Sequence, residues 1–156
     1  MKSRQILLLW LGALLVAAAT VHAEFTQQVQ VLPRMLRWER PFGPQGPERA
    51  DVSGDKVRGP YSFFLKLPPG FDSGWHTHDA TYTALVLSGV VMNLEQGDQN
   101  LPALPAQSVW TQPGKRNHVT RCVSQVECLI YVMSSGGATF HPHTAEGRPL
   151  GPTAHP

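Results

Sequence analysis

Gly74-Trp75-His76-Thr77-His78, followed after two residues by Thr81-Tyr82-Thr83-Ala84-Leu85-Val86-Leu87-Ser88-Gly89-Val90-Val91-Met92-Asn93, is the stretch on which the fold turns. In its second half Thr83, Leu85 and Leu87 alternate with Ala84, Val86 and Ser88, and Gly89 interrupts the run before Val90-Val91-Met92. Both faces are largely apolar, as expected of a strand where two sheets pack face to face. The first half supplies the chemistry. On an extended chain residues i and i+2 project to one face, so His76 and His78 can converge without special loop geometry. Paired imidazoles are common ligands for zinc, iron, copper and nickel.

Short β-patterned runs continue on either side. Upstream, Gln27 to Leu32 reads as a strand and Met35 to Trp38 as a weaker one. Pro41 to Pro60 is rich in Pro, Gly and charge and reads as a long surface loop. Tyr61 to Leu67 is a strand that ends at Pro68-Pro69-Gly70. Downstream, Gln96-Gly97-Asp98 is a turn, Ser108 to Thr111 a strand and Pro113-Gly114 a second turn. His118 to Val123 and Leu129 to Met133 are two further strands, expected to pair as a hairpin. No segment after the first twenty-three residues carries a capped amphipathic helix. Short strands punctuated by Gly and Pro argue an all-β sandwich or barrel. From Gly136 to Pro156 the chain turns to Gly, Pro and His, the composition of a poorly ordered tail.

The N-terminus reads differently. Lys2 and Arg4 precede an apolar run from Ile6 to Ala19, and Val21-His22-Ala23 has small or short residues at the −3 and −1 positions of a cleavage site. This is the layout of a secretory signal peptide cut after Ala23. An uncleaved anchor is the alternative, but a spanning helix wants about 20 apolar residues. Removing residues 1–23 from the 156 leaves 133, a length suited to one domain with a genuine core. It also removes Lys2 and Arg4, so 11 basic residues face 11 acidic ones. A neutral mature chain has nothing to steer it to nucleic acid or to an anionic membrane surface. In an oxidising compartment Cys122 and Cys128 are expected to pair as a disulfide, closing a small loop and adding about 2 kcal/mol. The other use for them is as free thiols near the metal site.

A two-histidine strand needs a third ligand from elsewhere, and His118, just after the Pro113-Gly114 turn, is the candidate. Three imidazoles would leave positions open for water or substrate. Gly70, His76, His78 and Gly89 are spaced as in the first motif of the cupin superfamily, and Pro113, Gly114 and His118 are similar to its second, with the Gly one place early. The resemblance covers about residues 60 to 135 and extends to small bacterial cupins of uncharacterised activity. It implies a single jelly-roll β-barrel over residues 24–135, with a divalent metal, iron or zinc, held inside by His76, His78 and His118. This chain departs from the pattern at one place: seven residues before Gly89, where the family has glutamate, stands Tyr82. Asp79 is too close to His78 to take that geometry. Tyr82 shares parity with the two histidines, so its phenol is open to binding the metal, hydrogen-bonding a ligand or packing in the barrel. Trp110 and Gln112 are further candidates for the pocket, whereas His141, His143 and His155 fall in the tail and are expected to face solvent.

A site without its carboxylate keeps more positive charge on the metal and should favour an anionic ligand. The expected function is therefore a metal-dependent enzyme acting on a small organic molecule, by dioxygenase-like or Lewis-acid chemistry. Two alternatives stay open: a non-catalytic ligand-binding or sensor module, and a barrel whose metal only stabilises the fold. No Ser-His-Asp or Cys-His constellation and no phosphate-cradling Gly-rich loop is present. Homodimerisation is common in the family and is a further expectation from the resemblance.

Overall fold

Gly89 divides the long apolar run between two different sheets. Its φ of +79° turns the chain left-handed. A Cβ there would lie 2.8 Å from Cys128 Sγ and 2.9 Å from Cys128 Cα, so only glycine fits. The structure, a computed structural model, describes residues 28, 30–98 and 100–151. The signal-peptide expectation for residues 1–23, and His155, lie outside the described residues.

In chain order the strands are β1 (Glu48–Gly54), β2 (Tyr61–Leu67), β3 (His76–Thr77), β4 (Tyr82–Ser88), β5 (Val90–Glu95), β6 (Leu104–Pro105), β7 (Val109–Gln112), β8 (His118–Cys122), β9 (Cys128–Ser134) and β10 (His141–Pro142). They form two five-stranded antiparallel sheets, ordered β1-β2-β9-β4-β7 and β10-β3-β8-β5-β6. Leu67, Ala84, Val86, Ile130 and Val132 from the first sheet meet Val91 and Cys122 from the second in one buried cluster. This is the all-β jelly-roll arrangement that the strand pattern and the cupin resemblance imply. Centrally, β9 pairs without a bulge along β2, from Tyr61 opposite Ser134 to Leu67 opposite Cys128, and also pairs with β4. No described helix is long and apolar enough to cross a membrane.

Several expectations are corrected. The strand expected over 27–32 is absent from its described residues: Val31 and Leu32 are exposed, and Pro33–Met35 makes one 3-10 turn. Met35 to Trp38 forms no strand either; only Glu39 bridges to Arg49. The loop expected over 41–60 contains β1, which lies along β2 as an edge strand. Its residues Glu48, Arg49, Asp51 and Ser53 carry too little apolar alternation to announce a strand, because an edge strand tolerates charge. β8 and β9 do not form a hairpin; they belong to opposite sheets. Cys122 and Cys128, at disulfide-bonding distance, therefore join the two sheets rather than pinning a turn. Within the stretch read as a tail, His141–Pro142 forms the short strand β10. β10 pairs with β3, and the His143 N–H donates to the Trp75 carbonyl.

Candidate metal centre

His118 opens β8 and sits directly opposite His76 on β3, an antiparallel pairing that brings the two sequence motifs side by side. His78 follows β3, where Lys115 N–H donates to the His78 carbonyl. The second motif's turn can come this close because Gly114 lacks a side chain; a Cβ there would lie 2.4 Å from the Asp79 carbonyl oxygen. His76 and His118 are buried and His78 is half-buried. One ligand nitrogen from each of the three lies within 4.8 Å of the others, and no described Asp, Glu or Cys joins them.

The backbone fixes the state of each ring. His76 Nδ1 is 2.9 Å from the Gly74 carbonyl and His118 Nδ1 is 3.0 Å from the Arg116 carbonyl. His78 Nδ1 bonds the Thr139 carbonyl. A carbonyl only accepts, so each Nδ1 carries the proton and each Nε2 keeps its lone pair. Those lone pairs converge: His76 Nε2 and His78 Nε2 stand 3.1 Å apart, two acceptors with no proton of their own between them. Burial also holds the rings neutral. It pushes the His118 imidazole down to about 4 and is the largest effect lowering His76 and His78; for His76 the neighbouring His118 and His78 push the same way. Three neutral imidazoles with outer nitrogens anchored on backbone oxygens are a donor set that fits zinc or ferrous iron.

Tyr82, at the start of β4 on the opposite sheet, points into this centre. Its hydroxyl is 3.2 Å from His118 Nε2 and donates to that lone pair. Its ring stands edge-on to His78, and burial pushes the phenol up to about 12. Tyr82 is thus a neutral donor in this geometry. Trp110 lies edge-on to Tyr82 and lines the cavity, with its indole Nε1 buried and unpartnered. Gln112 does not line the cavity. Its Oε1 accepts from Asn93 Nδ2 at 2.9 Å, and Asn93 Oδ1 in turn accepts from Thr120 Oγ1 at 2.8 Å, a buried polar chain between strands. Asp79 turns away to pair with His141 at 3.2 Å, and neither His141 nor His143 enters the cluster.

Two contributors were missed in the sequence. The Phe140 ring stacks on His76 with centroids 4.3 Å apart, and Thr139 supplies the carbonyl that orients His78. Both come from the stretch whose Gly and Pro content suggested no structure. Beside the three histidines opens a cavity of about 630 Å³ walled by Phe63, Leu65, Phe71, Trp110, Ile130 and Phe140. Its size and apolar walls are those of a small-molecule site.

The two-sheet jelly roll is a cupin-type fold, with His76 and His118 on neighbouring strands of one sheet and His78 just past the first. Within that class the chain belongs to the family described as "Domain of unknown function (DUF4437)", whose sequence profile matches residues 38–149. No curated protein matches it. Among solved structures it is similar to an RmlC-like cupin protein from Ralstonia eutropha JMP134, with a TM-score of 0.64 at 16% identity, covering 80% of this chain and 77% of that one. It is also similar to KdgF from Halomonas sp., TM-score 0.57 at 14% identity over 70% of this chain and 94% of that one. The DMSP lyase DddQ from Ruegeria pomeroyi DSS-3 gives 0.59 at 16% identity over 74% and 64%. At these identities the likeness is one of fold.

Proposed function

We propose that this protein is a metal-binding cupin in which His76, His78 and His118 hold a divalent iron or zinc ion facing a small-molecule cavity. The observation that carries the proposal is the convergence of three Nε2 lone pairs, each forced inward by a backbone carbonyl on its Nδ1. Left to themselves, two lone pairs 3.1 Å apart repel; a cation between them removes that cost. A metal bound there would supply Lewis-acid polarisation or oxygen chemistry to a bound organic anion. The chain's own part is to hold the three rings neutral and oriented, to exclude water with the aromatic wall, and to offer the Tyr82 hydroxyl as a proton donor beside His118.

Metal analysis of untagged protein tests this directly. Wild type is expected to carry close to one equivalent and the H76A/H78A variant almost none; equal trace metal in both would refute the site. An enzyme is one outcome, with oxygen uptake on small diketones, thiols or catechols as its assay if iron is found. The second reading is a ligand-binding module without turnover. It is favoured by the lack of any described carboxylate in the histidine cluster to move protons.

Export and oxidation belong to the same proposal. The Cys122–Cys128 pair suits an oxidising compartment, and N-terminal sequencing of the mature protein is expected to begin at Glu24. A homodimer, expected from the resemblance, would be read from the mass in solution.

A further inference from the structure

Among the described residues, Arg49 is the one Lys or Arg that lines the cavity. It stands on β1, whose register with β2 sets it opposite Leu65, on the inward face. The guanidinium carbon lies 4.6 Å from the Phe63 ring centroid and 5.2 Å from that of Tyr61, rings that stack on each other. Only 17% of the side chain is exposed. Its charge is incompletely used. Nε donates to Asp51 Oδ1 at 2.8 Å, and Nη2 lies 2.6 Å from the same oxygen. No N–H of Nη2 is aligned on an acceptor there, so that nitrogen is buried without a hydrogen-bond partner. At Nη2, Asp51 meets the charge without an aligned hydrogen bond, so a better-placed acceptor gains one there. Asp51 has a second cation at hand, since Lys56 Nζ is 3.2 Å from its other oxygen. Arg49 can therefore turn to a new anion without stranding its present partner.

The other charged group on the wall is not available. Asp72 gives Oδ2 to Arg121 Nε at 2.7 Å and Oδ1 to the Gly74 N–H at 2.8 Å. The cavity thus has an apolar middle with a cation at one side and the histidine centre at another. Tyr61, under the Arg49 guanidinium, and Tyr82, beside the histidines, both lie opposite Ser134 on the two flanks of β9. Two strand spacings put the backbones of these two tyrosines about 10 Å apart. A flat apolar body of one ring and a short chain spans that distance.

We infer that Arg49 is the anion-reading end of the cavity, binding the carboxylate of an aromatic or similarly flat organic acid whose body lies along the aromatic wall towards the histidines. Guanidinium and carboxylate match as a two-pronged pair, which an apolar cavity with one described arginine favours. The inference rests on the preceding proposal only in taking the cavity as a small-molecule site. It does not require the metal.

The test uses ω-phenylalkanoates, from phenylacetate to 5-phenylpentanoate, and their primary amides as probes, titrated by calorimetry into the full mature chain, metal-free and zinc-loaded. Wild type is expected to bind at least one carboxylate about tenfold more tightly than its amide, from one charge-assisted pair. R49Q should lose that preference while keeping its amide affinity, R49K should retain part of it, and D51N should tighten the carboxylate severalfold. Metal content is measured on every sample. If no zinc binds and the preference still follows Arg49, the inference stands and the metal proposal falls. A preference that survives R49Q but disappears with the metal overturns the inference and leaves the metal site intact. Should R49Q fail to fold by circular dichroism, D51N decides, and unchanged carboxylate affinity in it overturns the inference. So does the absence of binding by every carboxylate at millimolar concentration.

Discussion

At the scale of single residues, the centre depends on neutral imidazoles, and that has a measurable sign. The folded-state pKa of His118 lies at about 4, below its ordinary value of 6.5. Between those values the unfolded chain takes up a proton that the folded chain refuses, so stability rises with pH across the window. Metal-free protein is expected to lose stability as pH falls from about 6.5 towards 4, by about 1.4 kcal/mol for each pH unit over which the proton difference is complete. Urea unfolding at several pH values checks it, with H118N as the control that removes the His118 share of the slope while His76 and His78, also lowered by burial, keep theirs. Tyr82 yields a second expectation. A phenol raised to about 12 that donates to His118 Nε2 is a hydrogen-bond donor and not an anionic ligand. Y82F should therefore keep the metal stoichiometry of wild type; loss of the metal in Y82F would make the phenol a ligand after all. The three histidines were legible because their spacing alone puts two on one strand face and the third after a turn. Arg49 and Phe140 were not, because each reaches the site across a long separation that no local pattern encodes.

At the scale of elements, residues 136–143 form a strap over the histidines. Phe140 covers His76 and meets Phe42 with centroids 5.7 Å apart, while Thr139 orients His78. Loss of a backbone partner that orients a metal-binding histidine typically weakens the site 10–100-fold. A chain stopped after Ser135 is expected to keep its strand signal in circular dichroism and to bind zinc at least tenfold more weakly than the full chain in a competition titration. Undiminished affinity would make the strap incidental. The strong strands β2, β4 and β9 were visible in the sequence because their dense apolar residues face a core. β1 and β10 were not, since each is held at a sheet edge by pairing and carries little apolar alternation. The break at Gly89 could be read, but not that the chain changes sheets there, because the Cys128 that packs against it lies 39 residues further along.

At the scale of the whole molecule, the two sheets are joined by the shared apolar cluster and by one covalent cross-link. The cross-link closes a short loop, for which chain entropy alone predicts about 2 kcal/mol. The C122S/C128S variant should unfold at lower denaturant with the slope unchanged, by about that amount, and retain the metal, since neither sulfur is in the histidine cluster. Metal loss in that variant would show that the sheets' mutual position sets the site.

Thr139 stands 61 positions after His78, the one histidine it orients, and later than all three histidines of the cluster. A polypeptide still emerging from the ribosome thus carries all three imidazoles before it carries the oxygen that aims one of them. A metal held as proposed would meet its full set of aimed imidazoles only once Thr139 has been made. A product terminated before Thr139 would carry the recognisable signature without the oxygen that aims His78.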